Sequence, residues 1–359
     1  MQRKLKTSLA TLILASPRRA LKRNSMNIAF KAARLAAALA VGAGIAAAGT
    51  INILYAPNVA FTVADQTQIQ NAVNFYTSNM TSNFTVTIAV GAQAGGGAST
   101  TMGRDTASYA NYYNSLVAYS SGDATDTAAI ASLGGYSTNN PVTGSTSITM
   151  SPVLAQTLGV GTDGLEPFSE CDNLTANACI QIGTDVLGLS GSPAASLLGT
   201  FEHEVDEVLG TSSALPNGGT CGVPANPSAA DLFRYSAPGT RGFELNTSTS
   251  VPCTGSPTAY FSVDGGATNL NPYNNCNNGG DYGDWIYDDG LQVQDAYGPD
   301  GVATSLNLSS PEVTLLDAVG YNFVTSTSAT PEPSSALMLL TGLAAIPVLR
   351  RRLAGKPRP

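Results

Sequence analysis

The sequence predicts an α+β fold, a single domain over residues 49–324 with an irregular, loop-rich C-terminal half. Three observations carry this. Helix-period and strand-period stretches follow one another as helix, strand, helix, strands and a long helix, without a repeated βα unit. Beyond the long helix the periodicity fades into Gly, Asn, Ser and Asp. The basic residues crowd the two ends of the chain, outside the part that folds.

Asp65–Asn79 reads as the first helix, with Ile69, Val73 and Phe75 or Tyr76 supplying an apolar stripe. Asn83–Val90 alternates strictly and is rich in β-branched residues, which predicts a strand. Gly91–Ser99 is a glycine-rich loop. Asp105–Ser120 reads as a second helix, with Tyr109, Tyr113, Leu116 and Val117 on one side. Thr146–Met150 and Cys179–Thr184 are short strands. Ser192 and Pro193 suit the N-cap and first position of the long helix, and Gly210 closes it. Ala259–Val263 is a strand, Asn269–Trp285 an Asn/Gly/Asp stretch, and Pro311–Val319 the last helix.

Charge narrows the function classes. Residues 49–331 carry three cations (Arg104, Arg234 and Arg241) against 24 acidic residues, a formal balance of −21. Such a body repels nucleic acid and anionic lipid, so nucleic-acid binding is set aside.

The ends read as export signals. From Met26 the chain has a basic n-region, an apolar run from Leu35 to about Ile45 and small residues at Ala46, Ala47 and Ala48. That pattern predicts a signal peptide over residues 26–48, cleaved after Ala48, with residues 1–25 an upstream extension. At the other end, residues 325–330 form a Ser/Thr linker. Pro331-Glu332-Pro333 then precedes 14 apolar-rich residues, Ala336–Leu349, and Arg350-Arg351-Arg352, with residues 353–359 a basic tail. The run is shorter than the ~20 residues a stable span needs, which fits a transient inner-membrane anchor held by its arginines. Residues 331–352 resemble the PEP-CTERM sorting signal, and the resemblance implies processing by an exosortase, then release or attachment to surface polysaccharide. Five cysteines in the body agree with an oxidising destination. Cys171–Cys179 suits a small loop, while Cys221, Cys253 and Cys276 compete for a second bridge.

Chemistry concentrates on the long helix. The single histidine, His203, lies in Phe201-Glu202-His203-Glu204-Val205-Asp206-Glu207-Val208-Leu209-Gly210. At 100° per residue, Leu198, Phe201, Val205, Val208 and Leu209 share a face, and His203 and Glu207 fall within about 40° of each other on the other. An imidazole and a carboxylate one turn apart close on one metal ion, while the adjacent Glu204 reaches its water as general base. Asp206, Asp231 or another acidic residue from the loops is the candidate for a further metal ligand. A carboxylate-rich shell favours harder divalent ions such as Mn²⁺ or Ca²⁺ alongside zinc. Arg234 or Tyr235 is a candidate for oxyanion stabilisation.

These residues resemble the metzincin-type zinc metallopeptidase motif, His-Glu-x-x-His-x-x-Gly-x-x-His. His203, Glu204 and Gly210 match, Glu207 replaces the second His, and Ser213 stands at the third-ligand position. Between the helix and Met338 of the sorting segment there is no methionine to form a methionine turn. The runs Asp231–Ser236, Tyr260–Gly266, Gly280–Trp285 and Leu316–Tyr321 extend the resemblance to PEP-CTERM exported proteins of the metalloprotease group, which carry a His-Glu-x-Asp-Glu helix. It implies a metzincin-like domain and a zinc endopeptidase acting on peptide or protein substrates.

Asp281, Asp284, Asp288 and Asp289 lie in a loop with the chemistry to bind Ca²⁺, but the spacing does not fit an EF-hand. The segment reads as a polar surface loop, with Trp285 packed beneath it rather than contacting sugar. No Ser/His/Asp triad is available, because the only His sits on the acidic helix. The contrasting reading is a non-catalytic envelope or matrix protein, its helix presenting a solvated acidic face or a structural metal.

Overall fold

The computed structural model describes residues 49–161, 168–171, 174–188, 197–215, 223–287, 291–297 and 304–324, all within the unit Ala47–Pro359. The expected signal peptide (26–48) and sorting signal (331–352) with their flanking residues 1–25, 325–330 and 353–359, the expected helix start at Ser192-Pro193, and Cys221, Asp288 and Asp289 lie outside the described residues. Among those described, no helix is long and apolar enough to cross a membrane.

The chain opens with β1 (Thr50–Tyr55), a strand the sequence reading did not identify. Helix α1 (Val63–Asn79) starts two residues earlier than expected because Thr62 and Asp65 form a reciprocal capping box that satisfies the free amides of the first turn. β2 (Thr85–Gln93) runs past the predicted strand end, and β3 (Ala98–Met102) follows, so the expected glycine-rich loop shrinks to the turn between them.

The predicted helix over 105–120 divides in two. β4 (Asp105–Ser108) alternates buried and exposed residues and pairs antiparallel with β5 (Ser147–Met150). Only then does Ser108 cap α2 (Tyr109–Tyr119), accepting from the amide of Asn111. The strand period in Asp-Thr-Ala-Ser is too short to stand out beside a helical tyrosine stripe. Two further helices, α3 (Ala124–Ser132) capped by Asp123 and α4 (Pro152–Leu158) capped by Ser151, were not anticipated.

β6 (Phe168–Cys171) and β7 (Leu174–Ala176) make a hairpin, and β8 (Ala178–Gly183) returns to the main sheet. That sheet has the order β1-β2-β8-β3. β1, β2 and β8 are parallel, while β3 runs antiparallel to β8 at the edge. Helix α5 (Leu197–Leu209) carries the His-Glu sequence. After it come β9 (Arg234–Ala237), β10 (Thr240–Arg241), β11 (Tyr260–Phe261) and β12 (Asn271–Pro272), which form a second antiparallel sheet, and α6 (Pro311–Val319), which matches its predicted span.

One apolar cluster joins these layers. Ile69, Val73 and Tyr76 of α1, Val86 and Ile88 of β2, Ile180 of β8, Phe201 and Val205 of α5, and Leu315 and Leu316 of α6 are all buried in it. Each such side chain contributes about 1.5–3 kcal/mol by leaving water, which fixes α5 against both the sheet and α6. Trp285 is fully buried against Phe261 and Tyr273. Cys253–Cys276 is a disulfide, and Cys179 is disulfide-bonded as well. The architecture is thus mixed α+β with an irregular C-terminal half.

Candidate metal centre

Helix α5 is buried on almost every side, which is unusual for a segment with four carboxylates. Glu202, Glu204, Asp206 and Glu207 are 2%, 4%, 0% and 8% exposed. A solvated acidic face is therefore not what the helix presents. Isolated buried charges are costly, so each carboxylate must be protonated, hydrogen-bonded or opposed by a cation.

The four resolve in different ways. Glu202 accepts from the amide of Leu306 at 2.8 Å. Asp206 turns toward α1, its Oδ1 lying 2.8 Å from the Tyr76 hydroxyl, and burial followed by Glu312 pushes its pKa well above the usual carboxylate range. Glu204 accepts from the Thr100 hydroxyl of β3 at 2.6 Å, and burial raises its pKa. Glu207 faces His203.

His203 has one nitrogen committed. Its Nδ1 donates to the carbonyl oxygen of Val293 at 3.0 Å. That bond leaves Nε2 facing Asp284, whose Oδ1 is 3.6 Å away. Ligand atoms of His203, Glu207 and Asp284 all lie within 4.8 Å of one another. In the absence of a metal, burial works against a charged imidazole, but Asp284, Glu204 and Glu207 outweigh it and hold His203 up at about 10. Burial likewise raises Asp284 to about 7, with His203 pulling the other way. Gln294 donates to Asp284 Oδ1 at 3.1 Å and orients it.

This donor set fits a divalent cation. One imidazole nitrogen with its tautomer fixed by an outer hydrogen bond and two buried carboxylates is a three-ligand arrangement of the kind that leaves a position open. Among the described residues no Arg competes for these carboxylates. Arg234 donates to Gly242 O, Tyr282 O and Asn275 Oδ1, and Arg104 donates to Ser213 O. Arg241 stacks over Tyr235.

The structure thus brings His203, Glu204 and Glu207 together and adds Asp284, which the sequence reading had placed on a surface loop. Asp284 is only 4% exposed. Asp206 and Asp231 are elsewhere. Asp231 accepts from the Ser213 hydroxyl at 2.6 Å and from the amides of Ala214 and Ser228 at 2.9 and 2.8 Å, which pins the segment after α5. Ser213 therefore serves a structural bond at the position where the metzincin motif has a ligand. Arg234 and Tyr235 are buried in the second sheet, tied to loops and to Arg241 rather than to the centre.

Two glycines set the approach. Gly210 ends α5 at φ 129°, a backbone conformation that L side chains rarely adopt. At Gly283 a Cβ would come within 2.8 Å of the Ser213 amide, so only glycine lets the loop bearing Asp284 lie against the segment after α5. A cleft of about 410 Å³ opens here, lined by Thr100, Met102, Arg104, Glu207, Ser213 and Asp281 among others.

No protein-family model, no curated protein and no solved structure matches the chain.

Proposed function

We propose that this chain is an exported, metal-dependent endopeptidase, processed by an exosortase after transient anchoring in the inner membrane and then released or attached to surface polysaccharide. One observation carries the enzymatic reading. The free nitrogen of the only histidine converges with Glu207 and Asp284, Glu207 lines an open cleft, and Glu204 is bonded to Thr100 in the cleft wall. The disulfides support an oxidising destination.

His203, Glu207 and Asp284 would hold zinc or a harder divalent ion. Bound there, the ion supplies Lewis acidity toward a peptide carbonyl and toward water. Glu204 takes the proton of the attacking water on its carboxylate and returns it to the leaving amine nitrogen. Its hydrogen bond from Thr100 orients that carboxylate, and its burial favours holding the proton between the two steps. β3 is an edge strand, and its Thr100–Met102 segment lines the cleft. An extended peptide would pair along that edge through main-chain hydrogen bonds.

The test is hydrolysis of an unstructured protein such as casein by the full-length chain and by Glu204→Gln. The expected result is unchanged metal content with activity lowered by about 10²–10⁴-fold. Activity that survives in Glu204→Gln removes Glu204 as the base. A parent that binds metal but cleaves no peptide supports instead the envelope-protein reading with a structural metal.

A further inference from the structure

A second acidic group lies on the opposite ends of two other helices. Ligand atoms of Asp123, Asp126 and Asp317 all fall within 4.8 Å of one another. Asp123 and Asp126 sit at the N-terminus of α3, where carboxylates are ordinary. Asp123 caps the Asp126 amide at 2.9 Å, and Asp126 accepts from the amide and hydroxyl of Ser121 at 2.6 and 2.8 Å.

Asp317 is the anomaly. It is 5% exposed and its Oδ1 has no hydrogen-bond partner, although Thr125 and Asp123 are within bonding reach of its carboxyl. It lies in the last turn of α6, whose dipole repels a negative charge there. It also faces two further carboxylates. The three described arginines are engaged elsewhere, with Gly242, Tyr282 and Asn275 (Arg234), with Ser213 (Arg104), and with Tyr235 and Ser132 at the far end of α3 (Arg241).

We propose that Asp123, Asp126 and Asp317 form a calcium site that clamps the N-terminus of α3 to the C-terminus of α6. The donors are all hard oxygens, which select Ca²⁺ or a similar ion over zinc. Oxygens at about 2.3–2.6 Å from one calcium ion lie at most roughly 5 Å apart, so the observed spacing fits. Waters and bidentate carboxylates complete the shell of about 6–8 oxygens. The same clamp sits on the helix whose Glu312 lies behind the His203 centre, but it needs no catalytic activity.

The test is thermal unfolding of the full-length protein after chelation, at pH 8, with and without 5 mM calcium chloride. We expect calcium to raise Tm by about 2–5 °C in the parent and in Glu207→Gln, and to have no effect on Asp317→Asn made on the Glu207→Gln background. Calcium-free Asp317→Asn should be at least as stable as the calcium-free parent, because the substitution removes an unopposed charge. No calcium effect on the parent overturns the proposal and leaves a proton shared between Asp317 and Asp123. A calcium effect that persists in Asp317→Asn made on the Glu207→Gln background, where the His203 centre is disabled, overturns it as well.

Discussion

Asp284 Oδ1 lies 3.6 Å from His203 Nε2, the one imidazole nitrogen not used by the fold. The contact joins a helix to a distant loop, and it exists because Val293 accepts from Nδ1 while Gln294 donates to Asp284. Consecutive residues of one segment thus set both partners. The first consequence concerns metal affinity. Asp284→Asn should weaken zinc binding by more than the roughly 10–100-fold typical of outer-shell losses, measured by competition with a chromophoric chelator. Asp206→Asn should leave it within a few-fold, since Asp206 faces Tyr76. Equal losses in both variants would remove Asp284 as a ligand.

Metal-free stability should fall as pH rises. Burial raises Glu202 and Asp295 to about 7 and Asp317 to about 8, from unfolded values of 4.5, 3.8 and 3.8. Below pH ~4 both states are protonated and the fold has its full advantage. As pH climbs through 7–8 the unfolded chain has already released these protons and the folded one must follow, so the advantage disappears. His203, held at about 10 against an unfolded 6.5, acts in the same direction. Urea midpoints of chelated protein should therefore be lower at pH 8 than at pH 5, and divalent ions should flatten the difference. A midpoint that rises with pH contradicts the assignment.

Asp231→Ala should destabilise the fold by at least about 1–3 kcal/mol, because it strands the Ser213 hydroxyl and the amides of Ala214 and Ser228. The segment it releases lines the cleft, so KM should rise more than kcat falls while metal content stays unchanged. A loss of metal instead would return Asp231 to the ligand set.

Arg234→Lys should cost about 1–3 kcal/mol despite keeping the charge. The guanidinium donates to Gly242, Tyr282 and Asn275 at once and stacks 4.3 Å over the ring of Tyr273, which a single ammonium cannot reproduce. Equilibrium urea unfolding reads this directly, and a neutral result would show that the loops hold without it.

The sequence carried much of α5 and little of its surroundings. A 100° step places His203 beside Glu207, and Gly210 ends the helix, so that pair was legible from spacing alone. Asp284 was not. Its run, Gly280–Trp285, announces only a polar loop, and nothing local says that it folds inward onto a histidine. Asp206 and Asp231 had the right chemistry in the right neighbourhood, yet one faces α1 and the other caps the chain after α5. The last helix was legible because Ser310, Pro311 and Gly320 bracket it. β1 and β4 were not, since four to six residues of weak alternation are outweighed by adjoining apolar or helical signals.

The most direct measurement is elemental analysis of the full-length protein beside its His203→Ala variant, both purified without added metal. The account predicts about one equivalent of zinc or another transition-metal ion in the parent, lost in the variant while its far-UV circular dichroism is retained. Parent protein free of such metal, and still free after incubation with zinc, would contradict it.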